Sequence, residues 1–360
     1  MEGNEAPVVN WTRRLITAGA AASVLVLASI PSADYYYRST AGEGCAGCHE
    51  IRVNLEQWQH SSHRKVSCLE CHVSSTATNV RRVVRHLGGE VPEQIRLGLA
   101  DVLRMNARCQ ACHRQEFAQW QSGRHSATYA RIFTDGEHNR KRRLIDDCLR
   151  CHGMHLQGGI DEVVQPVSTS GPWHLRSEDL VNAAAIPCLS CHAMHREGQP
   201  LVRPKVRIGA NEETFRPSLS LLDRRSQLHL GLANLPIPAV LEGPRTIKMS
   251  PDPRQALCYQ CHAPAAARQV ASGDDRTPLG VHEGLSCLAC HEKHGMGTRA
   301  SCADCHPRLS NCGLNVAKMD TTFSDPKSPH NIHFVKCADC HPKGVPRKRE
   351  RAAGGVLSAY

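Results

Sequence analysis

Residues 45–72 read CAGCHEIRVNLEQWQHSSHRKVSCLECH, and the pentapeptide at each end of that stretch, Cys-x-x-Cys-His, decides the fold. It recurs at 109–113, 148–152, 188–192, 258–262, 287–291, 302–306 and 337–341, giving nine copies in 360 residues. Two side chains three residues apart lie on one side of a helical turn, and the next residue follows close by. Two thiols so placed can add to the two vinyl groups of one porphyrin, and the His then reaches the iron. This is the attachment signature of c-type haem.

The expected thioether residues are Cys45, Cys48, Cys68, Cys71, Cys109, Cys112, Cys148, Cys151, Cys188, Cys191, Cys258, Cys261, Cys287, Cys290, Cys302, Cys305, Cys337 and Cys340. They are 18 of the 19 cysteines and leave Cys312, read as a small buried thiol. The expected proximal iron ligands are His49, His72, His113, His152, His192, His262, His291, His306 and His341. Structural zinc takes such cysteine pairs two at a time, and nine pairs is an odd number. Neither zinc nor a redox disulfide explains a His after every second Cys. The expected cofactors are nine covalently bound c-type haems.

With one motif per 40 residues on average and only 4% aromatic residues, the porphyrins themselves take the place of much of an ordinary core. The expected fold is mainly α with extensive loops and little β, a multihaem cytochrome c built around nine stacked haems. The 21 Pro and 27 Gly suit short motif-bearing helices joined by loops. The formal charge of +10 invites a nucleic-acid reading, but each bis-His haem adds roughly −1 oxidised and −2 reduced through its propionates. The arginine surplus is therefore read as propionate partners, and no nucleic-acid partner is expected.

Residues 15–30 (LITAGAAASVLVLASI) form an apolar run, preceded by Trp11, Arg13 and Arg14 and followed by Tyr35, Tyr36 and Tyr37. From Trp11 to Tyr37 the segment is long enough to cross a bilayer, with its N-terminus in the cytoplasm. The expected placement is on the periplasmic side of the inner membrane, N-terminally anchored. The alternative is a cleaved signal segment and a soluble periplasmic or secreted protein.

Motif spacing divides the remainder. Residues 1–38 are the anchor or signal segment, 39–200 a five-haem lobe, 201–249 a haem-free insert, 250–343 a four-haem lobe and 344–360 a basic tail. The insert reads as loops plus a short amphipathic piece, serving as a linker or as a lobe packed over the haems. Residues 92–106 read as a helix with Pro92 in its first turn. Residues 45–63 and 109–125 repeat a pattern: the motif, a helical stretch, Trp-Gln, and a His five residues after Trp58 or Trp120.

Thirteen of the 22 histidines lie outside the motifs. His63, His125, His155, His195, His282, His294 and His333 stand in recurring contexts beside motifs and are expected as distal iron ligands. His60, His86, His174 and His330 are further candidates, and His138 and His229 have the weakest contexts. A His three residues after a proximal His cannot reach the opposite face of the same porphyrin. His155, His195 and His294 must therefore serve neighbouring centres. Met154 and Met194 are read as packing.

Residues 10–75, through GCAGCHEIRVNLEQWQHSSHRKVSCLECH, resemble the start of NapC/NirT-type quinol-linked cytochromes; Ile51 stands where that family often has a haem-ligating Met. Residues 257–294 (LCYQCH…GVHEGLSCLACHEKH) resemble the doubled-CXXCH cytochromes. HNIHFVKCADCH (330–341) resembles the small tetrahaem cytochromes, which implies that both His330 and His333 are distal ligands. The chain thus resembles the multihaem c-type cytochrome superfamily.

The function expected is electron relay outside the cytoplasm, between a membrane donor and a periplasmic or extracellular acceptor. The partners expected are redox proteins, with quinol or a membrane oxidoreductase as donor. The alternative is a reductase or oxidase of small nitrogen or sulfur compounds with one open haem. No Cys-x-x-Cys-Lys occurs, and Tyr129 and Tyr259 are the internal tyrosines that such an enzyme would draw on. Relay is preferred, and no catalytic residue is assigned.

Overall fold

The computed structural model describes residues 11–40, 43–47, 51–73, 75–90, 97–195, 219–263, 265–266, 270–271, 280–295, 297, 306, 319–341 and 343–344. Cys48, His49, Cys302, Cys305, Cys312, the side chains of Cys45 and Cys340, Pro92, residues 201–218 and the tail beyond residue 344 lie outside the described residues. The fold is mainly helical, with short strands and long connections. The chain divides into two compact units, residues 1–112 with 194–199, and residues 113–193 with 200–360.

The first unit opens with α1 (Trp11–Ser39), 29 residues with no buried side chain and a mean hydropathy of 1.8 in its most apolar window. By length and composition it can cross a membrane. Then come α2 (Arg52–Gln59), α3 (Cys68–Cys71), α4 (Thr76–Leu87) and α5 (Leu99–Cys112). The helix expected over 92–106 is shifted. Leu97 and Gly98 are not helical, and α5 runs from Leu99 through the motif cysteines Cys109 and Cys112. Ser75 caps α4, its hydroxyl accepting from the Thr78 N–H at 3.2 Å.

The second unit contains α6 (Arg114–Ser122), α7 (Tyr129–Phe133), α8 (Gly136–Lys141), α9 (Leu149–His152), α10 (Gln255–His262) and α11 (Cys337–Cys340). Two strands, β1 (Val164–Gln165) and β2 (His174–Leu175), pair antiparallel. The described part of the insert differs from the expected loops and amphipathic piece. It forms β3 (Ser220–Asp223) and β4 (Leu228–Gly231), an antiparallel hairpin. Next come β5 (Ala239–Glu242) and β6 (Arg245–Thr246), joined through Gly243 at φ +60°. That two-residue loop has glycine where φ must be positive, which sets the hairpin register. β7 (Ala265–Ala266) and β8 (Val270–Ala271) complete a sheet of order β6-β5-β8-β7, with β5 and β8 parallel.

These strands pack on α10. Val240 and Ile247 bury against Tyr259 and Ala263, with Met249 beside them. Leu232 and Leu235 bury against Ala256, flanked by Leu219, Leu221, Leu230 and Leu257. Each fully buried side chain of this kind contributes about 1.5–3 kcal/mol. Residues 219–249 thus buttress the motif on α10.

Candidate cofactor centres

The described motifs adopt the helical turn their spacing calls for. The backbone N–H of the motif His donates to the carbonyl of the first Cys, for example His72 to Cys68 at 2.9 Å, His192 to Cys188 at 3.0 Å, His291 to Cys287 at 2.8 Å and His341 to Cys337 at 2.8 Å. This closes one α-turn and brings both cysteines and the His to one side. Serine precedes two of these turns as an N-cap. The Ser67 and Ser286 hydroxyls each accept at 3.2 Å from the N–H two residues on. The capping serines are legible in the sequence only as Ser-Cys, a pair that carries no cofactor signal of its own.

The two tryptophans of the internal repeat play matching parts. Trp58 Nε1 donates to the Val66 carbonyl at 3.1 Å, and Trp120 Nε1 donates to the Ile186 carbonyl at 3.0 Å. Each acceptor lies two residues before a motif cysteine, Cys68 or Cys188. The repeat thus ties the entry of a motif to an indole.

A buried polar network joins the 258 and 287 motifs. Gln255 Oε1 accepts from the Cys287 N–H at 3.1 Å, and Gln255 Nε2 donates to Ser286 Oγ at 3.2 Å. Ser286 Oγ donates to Asp252 Oδ2 at 3.0 Å, and Arg254 Nη2 donates to the same carboxylate at 2.7 Å. Burial pushes the Asp252 pKa up, but the Arg254 side chain and backbone N–H and the Ser286 hydroxyl outweigh it, and the net shift is downward. Cys258 lies against Cys287, and Cys151 against Cys261. Attachment points of different motifs are thus brought together. No sequence signal marked Gln255 or Asp252, because their partners lie about thirty residues away.

The histidines converge in pairs. His72 faces His195 with ring centroids 5.6 Å apart, and His125 faces His262 at 6.3 Å. His192 faces His294 at 6.1 Å, His282 faces His306 at 6.5 Å, and His291 faces His333 at 5.9 Å. Every pair joins one motif His to one His outside the motifs. An imidazole–metal bond of about 2 Å on each side of one ion sets the ring centroids roughly 6 Å apart. The spacing therefore fits two axial ligands on one iron. Among the described residues no three His, Cys, Asp or Glu side chains converge as an all-protein metal site would require.

The remaining predicted histidines have other neighbours. His155 is buried with Nε2 3.2 Å from Ser190 Oγ, and burial with the nearby His229 holds its pKa down to about 4. His229 Nδ1 lies 2.9 Å from Ser220 Oγ. His63 is half-buried, while His60 is exposed with Nδ1 2.7 Å from the Glu56 carbonyl. His86 lies in the last turn of α4, His174 on β2, His138 is exposed on α8, and His330 Nδ1 is 3.9 Å from Asp339. His113 Nδ1 lies 4.0 Å from Glu116, and Phe133 packs edge-on against His152 at 6.4 Å.

Met154 is fully buried, in keeping with packing. The Tyr259 hydroxyl accepts from the Ser250 N–H at 3.3 Å, and burial pushes its pKa up to about 12. Tyr129 is fully buried, stacked on Phe133 at 6.0 Å, and its hydroxyl has no hydrogen-bond partner. Arg224 Nε is likewise buried without one, and the Arg224 charge acts on the Tyr129 hydroxyl. Such orphaned atoms cost about 1–3 kcal/mol each. Arg224 Nη2 donates to the Gly158 carbonyl, and the Nε and the Tyr129 hydroxyl that stay open suit a carboxylate, the group a haem propionate would bring, so the residues present fit the cofactor.

The family described as Cytochrome c554 and c-prime matches residues 108–193 and 242–292. The match takes in the motifs at 109, 148, 188, 258 and 287 and passes over most of the insert. It overlaps the stretch that resembles the doubled-CXXCH cytochromes and lies outside the NapC/NirT-like residues 10–75. No curated protein and no solved structure matches the chain. Over the matched residues the chain is similar to the cytochrome c554 and c-prime family, and it is a c-type cytochrome with covalently bound haem.

Proposed function

We propose that this c-type cytochrome is a nonahaem electron relay, working outside the cytoplasm and held at the membrane by α1. The observation that carries the reading is the set of five histidine pairs with ring centroids 5.6–6.5 Å apart. Each bound haem supplies a one-electron couple between ferric and ferrous iron. The chain's residues do the rest. The motif cysteines would attach each group covalently, and the motif His and its paired His would hold the iron. Filling both axial positions excludes water and small substrates, which favours transfer over catalysis. Cys151 lies beside Cys261 and Cys258 beside Cys287, which supports closely spaced centres. The electron donor is read as quinol or a membrane oxidoreductase, and the acceptor as a periplasmic or extracellular redox protein.

Electron paramagnetic resonance of the oxidised protein, with a haem count by alkaline pyridine spectroscopy, tests this. Nine haems and only low-spin ferric signals are expected. A stoichiometric high-spin signal that changes with nitrite, hydroxylamine or sulfite would replace the relay with the reductase or oxidase reading.

A further inference from the structure

Helix α4, TATNVRRVVRHL, places Val80, Val83, Val84 and Leu87 at i, i+3, i+4 and i+7. With Ala77 they fill an apolar arc about 120° wide, the width normally turned toward a core. Here that stripe is outside: Val80, Val83, Val84 and Leu87 are 38%, 54%, 61% and 80% exposed. The opposite arc carries Arg81, Arg82 and Arg85.

The start of α4 is tied to α1. Thr76 Oγ1 donates to Asp34 Oδ1 at 3.2 Å, and Asp34 also takes the Arg38 guanidinium at 2.7 Å. Asp34 follows the apolar run ending at Ile30 by four residues, about 6 Å along the helix. The hydrogen bond therefore holds the first turn of α4 at the level of Tyr35, Tyr36 and Tyr37, where a spanning helix meets the headgroups. An amphipathic helix at that depth, with arginines flanking an apolar stripe, is the form that lies in a membrane surface.

We propose that α4 lies along the outer surface of the bilayer, Val80, Val83, Val84 and Leu87 in the acyl boundary and Arg81, Arg82 and Arg85 on anionic headgroups. The proposal rests on α1 being a retained anchor. It makes the membrane contact two-part, a span plus a surface helix, and fixes the height of the first unit above the bilayer.

The test uses the full haem-loaded chain in nanodiscs containing phosphatidylglycerol, with photoactivatable benzoyl-phenylalanine at position 84 and, as control, at position 78 on the opposite arc. Lipid acyl adducts at 84 and not at 78 are expected, and they should fall severalfold in neutral discs or with Arg82→Glu and Arg85→Glu. Membrane-retained protein that crosslinks at 84 only to itself, to porphyrin or to another protein overturns the proposal and leaves the anchor standing. Protein released from membranes by carbonate, with an N-terminus beyond Ala33, overturns both.

Discussion

The imidazoles of His291 and His333 lie 5.9 Å apart between centroids and within 7° of parallel. One belongs to a motif, the other stands four residues before Cys337, and their spacing suits two imidazoles on one iron. His333→Ala should leave one iron with a vacant axial position. The expected result is one high-spin ferric signal per protein in electron paramagnetic resonance. His138→Ala, on an exposed face of α8, should leave the spectrum as it was.

His192 and His294 form a second such pair at 6.1 Å. His294→Met would exchange an imidazole for a thioether, which favours ferrous iron. One step of a spectropotentiometric titration should move to higher potential while the others stay. A titration in which no step moves would remove His294 from the ligand set.

Tyr129 separates two accounts of its orphaned hydroxyl. With nothing there to bind, Tyr129→Phe removes an unsatisfied buried group and raises stability by about 1–3 kcal/mol. With a propionate accepting from that hydroxyl, the same change lowers stability by about 1–3 kcal/mol, because the carboxylate is then left short of a donor. The second outcome is expected. Thermal unfolding of the haem-loaded protein reads the sign directly.

Asp252 and Arg254 form a buried pair at 2.7 Å. Asp252→Ala would strand the guanidinium and Ser286, at about 3–5 kcal/mol. The pair also sets an acid dependence. The Asp252 pKa is lowered in the folded state, so its contribution is complete above the ordinary carboxylate value near 3.9 and is lost as pH falls through the lower folded value. Denaturant midpoints of wild type and variant should therefore differ at pH 6 and converge in strong acid.

Trp120 donates to Ile186, 66 residues away in sequence. Trp120→Phe should cost about 1 kcal/mol from the lost hydrogen bond, in addition to packing. Trp58→Phe should cost a similar amount, since Trp58 makes the equivalent bond to Val66. Urea unfolding of both variants checks the equivalence of the two repeats.

The mainly helical, loop-rich fold and the chemistry of the motifs were written in the sequence, because thioether attachment is a local matter. Two thiols and a His within five residues need only one turn of helix, and the closed turns from His72, His192, His291 and His341 show it. The span-length α1 was equally local, since hydropathy and length suffice. Which histidines meet was not local. The CHxxH geometry showed that His195 and His294 could not serve their own motifs, yet nothing in the spacing named His72 or His192 as partners. Those pairings bring together residues about a hundred positions apart, and only the packing of loops and helices sets them. The insert shows the same limit: its strands became a buttress because Val240, Ile247, Leu232 and Leu235 found the apolar side of α10. Covalent pattern determined what the chain binds, and burial over long sequence separations decided which histidines meet.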